Sequence, residues 1–209
     1  MKNILVDYIP FEVSPQQIRE SFEKSGKLVV SGVLQRADAI NQNKRKYPKK
    51  ILMREAKKYA DTFVRERRAL GELDHPDSSV VNLSNASHNI VEMHWNGNDL
   101  VGMIEVLCDR PGVRGTPAGN ILKALFDNNI KLGISSRGIG SVKPLYEEDE
   151  EDVVEVQDDF ELVSFDFISN PSTQGAFMNR LHESKNINTK QQIYNSIENI
   201  IMDIITTKI

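Results

Sequence analysis

Cysteine is almost missing from this 209-residue chain. Cys108 stands alone, which excludes an internal disulfide and fits a reducing compartment. It closes the apolar run "LVGMIEVLC", so a buried core thiol is the plain account. Long apolar stretches are lacking too: none approaches the roughly 20 residues needed to span a bilayer. The start, "MKNILVDYIPFEVSP", breaks after Val6 with an aspartate and carries no signal-peptide cleavage pattern. A cytoplasmic protein without a membrane segment is the expectation. Nor does charge of one sign dominate. With 26 basic and 30 acidic residues the net charge is -4, which does not advertise a nucleic-acid binder. No glycine-rich loop of nucleotide-binding form is present, and no His and Cys spacing resembles a zinc site. Neither a cofactor nor a metal is expected.

What remains is a globular composition, 39% apolar and 27% charged, sized for one main domain and a modest appendage. Ser14-Pro15 is a helix start, a capping hydroxyl followed by proline; Ile18 and Phe22 repeat at helical spacing and Gly26 stops the run. "KLVVSGVLQRA" (Lys27–Ala37) is β-branched and continuous, a buried strand. After the basic loop "NQNKRKYPKK", Pro48 opens a helix reaching about Leu70. Ile51, Leu52, Ala56, Tyr59 and Phe63 form its apolar stripe, and the basic remainder is a solvated face. From Val80 to Leu107 the pattern is strand, with "NGND" marking a hairpin. A second helix is expected over Ala118 to Asn128 with Ile121, Leu122 and Leu125 inward. The six consecutive carboxylates Glu147 to Asp152 read as a solvated loop rather than a hard-metal site. A last strand covers about Phe160 to Ile168. From Asn188 the residues Ile193, Ile197, Ile200 and Ile204 step by four and three, a narrow heptad-like seam on a tail helix. Strands with a few helices between them indicate α+β or a β-barrel with helical decoration.

"LGISSRGIGS" (Leu132 to Ser141) is the stretch that asks for chemistry. It sets two adjacent hydroxyls and an arginine among glycines, directly after an apolar run. A serine hydroxyl is a poor nucleophile until a base takes its proton, and that base is usually an oriented histidine. His182 precedes the tail in a polar stretch. His88 and His94, six apart, fall on one face of a regular strand, where two half-buried histidines beside Trp95 are the bland account. His75, between Asp74 and Pro76 in "ALGELDHPDSS", sits in a rigid turn that can face a cleft. A third member must be a buried acceptor that fixes the imidazole tautomer. Asp166 in "LVSFDFIS" is an acid inside an apolar strand, costly unless paired; a structural ion pair explains it equally well, and Asp74 is the other candidate.

Taken together, these pieces resemble the prohead core proteases of T-even-type tailed bacteriophages, relatives of the herpesvirus assemblin protease. The resemblance runs from about Val30 to Ser172. It rests on "NxNKRxYP" (Asn41, Asn43, Lys44, Arg45, Tyr47, Pro48), "ALGEL-(D/N)-HP" (Ala69 to Pro76), "GND" (Gly97 to Asp99), "SSRGxGS" (Ser135 to Ser141) and "D-x-(V/I)-x-x-P-S" (Asp166 to Ser172). It implies an α+β fold, a small β-barrel of the assemblin type decorated by helices, with a C-terminal helical tail. It also implies His75 as general base, Ser135 as nucleophile and Asp166 as orienting acid. Ser136 is the alternative nucleophile: strand alternation turns one hydroxyl toward the base and the other away, without saying which. The reading taken is Ser135 presented, with Gly133 and Gly138 giving room to substrate and oxyanion. Arg137 would either support the oxyanion loop or form a loop-fixing salt bridge.

The activity implied is a serine endopeptidase of prohead maturation that cuts scaffold and capsid proteins after glutamate. "NKRKYPKK" or Arg137 would supply the complementary charge. Self-processing after Glu183, in Leu181-His182-Glu183, would divide a protease domain at 1–183, with its core at about 27–178, from a tail at 184–209. That tail would dock the zymogen into the scaffold core, pair with another copy in a homo-oligomer, or pack on its own domain. The setting implied is the prohead interior, and the host cytoplasm during assembly. The rival reading is a catalytically silent capsid or scaffold component that keeps the fold.

Overall fold

The structure is a computed structural model, and it describes residues 3–11, 26–74, 76, 78–145 and 152–169, with Gln16, Glu20 and Glu23. These fall in one compact unit spanning Met1–Ala176. The expected tail helix and Glu183 lie outside the described residues. So does most of the helix expected after Ser14-Pro15, of which Gln16, Glu20 and Glu23 are helical.

Among the described residues the strands β1 (Asn3–Phe11), β2 (Val29–Arg36), β3 (Arg45–Lys46), β4 (Leu70–Glu72), β5 (Ala86–Asn96), β6 (Asp99–Val106), β7 (Leu132–Gly140), β8 (Val142–Pro144), β9 (Val154–Val156) and β10 (Glu161–Ile168) combine with the α-helices α1 (Lys49–Tyr59) and α2 (Pro117–Asp127). The α+β class is as expected; the closed barrel is not present. Among the described residues the strands form three separate sheets, β1-β7-β10, β2-β6-β5-β4 and β3-β9-β8. Closure needs an unbroken ladder around the ring. The three-residue β4 is too short to provide it. Among the described residues its chain meets β10 through one isolated bridge, Leu73↔Phe167, and the bond from Asp74 N to Phe167 O at 2.7 Å, and Asp74 takes φ 68°. Among the described residues no ladder joins β1 to β2.

The hairpin falls where "NGND" put it, β5 and β6 closing through Asn96↔Asp99. A bulge between Ile90 and Glu92 breaks the period-two alternation of β5. His88 is therefore buried and His94 exposed, not on one face as even spacing implied. The helix after Pro48 is also shorter than its apolar stripe suggested. α1 ends at Tyr59, a π-turn carries the chain from Ala60 to Val64, and Arg67 takes φ 55°. That left-handed residue stops helical continuation, and Leu70 then pairs with Asn89 as a strand. Ile51, Leu52, Ala56 and Tyr59 are buried as the stripe requires.

In α2, Thr116 caps the first turn by accepting from Gly119 N at 2.9 Å, with Pro117 following. Leu122 is buried as expected, Leu125 is partly buried, and Ile121 is 53% exposed; the inward face runs through Ala118, Leu122 and Phe126 instead, at four-residue steps. Cys108 is buried. The helices cover the aromatic residues of β10: Tyr59 meets Phe165 edge-on at 5.9 Å between ring centroids, and Phe126 meets Phe167 at 5.5 Å.

Candidate active site

β7 carries "LGISSRGIG" down the middle of its sheet, with β1 on one side and β10 on the other. Ser135 stands opposite Tyr8 and Asp166, Ser136 opposite Asp7 and Phe165, and Arg137 opposite Val6 and Ser164. Residues directly opposite share a face, and neighbours along a strand point to opposite faces. One face therefore holds Ser135, Arg137, Ser164 and Asp166. The other holds Ser136, Asp7 and Phe165. Both serine hydroxyls are buried without a hydrogen-bond partner among the described residues.

The Ser135 face is built around a guanidinium. Arg137 is fully buried. Its Nε lies 2.9 Å from Asp166 Oδ2 and donates to Ser164 Oγ at 3.0 Å. Nη2 donates to Glu72 Oε1 at 2.8 Å and to Asp166 Oδ1 at 3.2 Å. Nη1 donates to the Ser78 carbonyl at 2.8 Å. Asp166 also accepts from Glu72 N at 2.9 Å and from Ser164 Oγ at 3.2 Å. Glu72, itself buried, accepts from Asn82 N at 3.0 Å. A buried ion pair breaks even only when its remaining donors and acceptors are satisfied, and here backbone groups from three segments do so. The loop-fixing account of Arg137 therefore has direct partners: Glu72 before position 75 and Ser78 after it.

Beside this cluster lies His88, fully buried. Its Nε2 meets the Phe165 carbonyl at 3.0 Å and its Nδ1 meets Ser87 Oγ at 2.8 Å. Burial pushes its imidazole down to about 4, against the opposing pull of Asp166 and the Phe165 carbonyl, so the ring is neutral near pH 7, with Nε2–H donating and Nδ1 accepting. Gly71 makes this approach possible: a Cβ there would lie 2.0 Å from Phe165 O and 2.3 Å from His88 Nε2. The Tyr59 hydroxyl is pushed up by burial and by the Asp166 charge.

The opposite face has its own carboxylate. Asp7 is buried and accepts from Asn43 Nδ2 at 3.0 Å, from Arg45 Nη1 at 3.3 Å and from the Tyr47 hydroxyl. Asn43 and Arg45 also donate to the Val6 carbonyl, at 2.7 and 2.8 Å. Burial, then the Asp7 charge, raises the Tyr47 phenol well above its ordinary range. Three residues of "NxNKRxYP" thus fasten β1 to the loop before α1. Arg45 and Arg137 are both engaged internally, which removes Arg137 from the candidates for binding a substrate carboxylate. Gly138 is likewise not open space for substrate, since a Cβ there would sit 2.3 Å from the Phe160 ring.

Of the residues singled out from sequence, Ser135, Asp166 and Arg137 come together, Ser136 lies on the other face, and His75 and Glu183 lie outside the described residues. Glu72 and Asp7 were passed over. Both carry the signal that identified Asp166, an acid set within an apolar strand ("ALGEL", "ILVDYI").

The family of prohead core protein serine proteases matches residues 6–188, and the chain belongs to it. It is similar to the prohead core protein protease of Enterobacteria phage T4, 37% identical over 115 residues, 55% of this chain and 52% of that protein; the chain spans about half the length of that curated relative. It is also similar to the solved structure of the bacteriophage T4 capsid assembly protease, with a TM-score of 0.66 at 27% identity over 81% of this chain and 99% of that one.

Proposed function

We propose that the chain is a serine endopeptidase of prohead maturation in which Ser135 is the nucleophile, His75 the general base and Asp166 the orienting acid. The observation that carries this reading is the cross-strand pairing of Ser135 with Asp166 on one face of β7 and β10, in a chain of this family. Ser135 attacks the scissile carbonyl, His75 takes its proton and later returns it to the leaving amine, and Asp166 holds the imidazole tautomer. Backbone N–H groups near Ser135 and Arg137 stabilise the oxyanion, a contribution of roughly 3–4 kcal/mol per donor. Arg137 supports the segment between Glu72 and Ser78 rather than touching substrate. Ser136 faces away, beside Phe165.

The substrates are scaffold and major capsid proteins inside the prohead, cut after glutamate. The chain also cuts itself after Glu183, releasing residues 184–209. The complete burial of Ser135 supports a zymogen that opens before it cuts, because a substrate carbonyl must reach the hydroxyl.

Mass spectrometry of the purified chain tests this. Wild type loses its tail after Glu183, Ser135→Ala keeps it, and Ser136→Ala still cuts. A serine-reactive phosphonate labels Ser135. An intact wild-type chain that no phosphonate labels, alone or with scaffold protein, would instead identify a silent shell component.

A further inference from the structure

Arg45 and Arg137 are engaged internally, but two other arginines gather around a different acid. On one face of the β2-β6-β5-β4 sheet the strands set Val29, Glu105, Asn89 and Leu70 side by side. Glu105 is buried, and cations reach it from three directions. Lys27, before β2, lies 3.1 Å from Oε1. Arg67, before β4, donates from Nη2 to Oε2 at 2.8 Å. Arg110, after β6, brings Nη1 to 3.7 Å from Oε1. Lys27 has further interactions; the two arginines alone already outnumber the carboxylate. Among the described residues neither forms an ion pair with another acid. Arg68 is paired with Glu66, and Glu92, the next acid on this face, stands one row away opposite Met103.

Most of the donors on these two heads have no acceptor in the protein. A guanidinium carries five N–H groups. Among the described residues Arg67 uses Nη2 alone, and Arg110 makes an ion pair without a side-chain hydrogen bond. Their side chains are 61% and 28% exposed, so a ligand can reach them. Arg67 also holds a left-handed backbone, φ 55°, at a helix end where glycine or asparagine is the usual residue. Next to Glu105, Asn89 Oδ1 is buried without a hydrogen-bond partner among the described residues.

We propose that Arg67 and Arg110 form a docking site for an acidic segment of the protein substrate. This rests on the reading of the chain as a serine endopeptidase. A guanidinium fork fits a carboxylate in two parallel bonds. Glu105 gathers the two heads and leaves their outer edges to a substrate carboxylate, while an N–H of the docking chain fills Asn89 Oδ1. β4 joins this site to the serine strand: Arg67 precedes it, and Glu72 at its end donates its N–H to Asp166 Oδ1, across from Ser135. The chain from Arg67 to Glu72 spans at most about 18 Å. An extended substrate therefore brings its acid to the arginines roughly five residues from the cut bond, apart from the glutamate at the cut itself.

The test follows the fluorescence anisotropy of a labelled hexaglutamate peptide, flanked by glycine and serine, with the full chain carrying Ser135→Ala. The peptide binds, more weakly as salt rises, and its hexaglutamine counterpart does not. Arg67→Gly relieves the left-handed backbone, so the fold is kept while the guanidinium is lost; it weakens binding about fivefold, the size of one exposed ion pair. Arg110→Gln acts in the same direction, and Glu105→Gln tightens binding because the arginines lose their internal acid. With Ser135 intact, substrates sharing the same cut-site glutamate are compared with glutamate or glutamine in their flanks. Acidic flanks lower KM about fivefold at unchanged kcat, the mark of uniform binding, and Arg67→Gly abolishes the difference. A hexaglutamate peptide that does not bind, or that binds the Arg67→Gly and Arg110→Gln chains as tightly as their parent, overturns the proposal. If the peptide binds as expected but wild type cuts nothing, the protease reading fails and the docking site stands.

Discussion

Two buried carboxylates, Asp7 and Asp166, sit on opposite faces of one sheet, and each is bonded to an arginine. Their surroundings differ. Asp7 meets one arginine that is 23% exposed, with an amide and a phenol to complete its shell. One acid against one base that reaches solvent is a balanced clamp, and its work is to hold β1 against the loop before α1. Asp166 shares a fully buried arginine with a second acid. That arrangement lies on the strand next to the one that carries both serines. The same pair of residue types thus makes a fastening on one face and a charged environment on the other. Stoichiometry and burial, not residue type, separate them.

The largest effect that sharpens this contrast comes from Arg137→Met. It removes the buried cation that Glu72 and Asp166 share and costs about 3–5 kcal/mol, read as a large fall in the denaturant midpoint. The His88 titration tests the acid face by pH. Its folded pKa of about 4 lies below the unfolded value of 6.5, so the folded state resists protonation. The stabilisation is complete above about pH 6.5 and is lost as pH falls toward 4, about 3 kcal/mol in all. Urea unfolding at pH 7.5 and 4.5 measures it, and His88→Phe should flatten the difference. On the clamp face, Asp7→Asn costs about 2 kcal/mol, because Asn43, Arg45 and Tyr47 lose a charged acceptor. Tyr47→Phe removes one donor to Asp7 and costs about 1 kcal/mol by the same measure. If the Asp7 and Arg137 variants proved equally destabilising, the distinction between clamp and charged cluster would fail.

Much of the fold could be read along the chain because it depends on local signals. The stripe of α1, the cap of α2 and the "NGND" turn each follow from residues within one or two turns of one another. Errors arose where a distant partner intervened. Even spacing placed His88 and His94 together, but a bulge against β6 separated them. The helix expected to reach Leu70 gave way to β4 because Leu70 found Asn89 across the sheet. Closure of a barrel was expected from resemblance, and among the described residues the short β4 is followed by one isolated bridge to β10 in its place. At the candidate site, the acid-in-apolar-strand signal found Asp166. It was equally present at Glu72 and Asp7, where no histidine pairing drew attention to it.

The order of residues alone determined which groups were available: one arginine between two glycine-flanked stretches, acids inside apolar runs, and two neighbouring serines of opposite orientation. Only tertiary structure decided which serine shares a face with Asp166 and which acids share Arg137. Those choices depend on the register between strands far apart in sequence, and a shift of one residue would exchange the two faces.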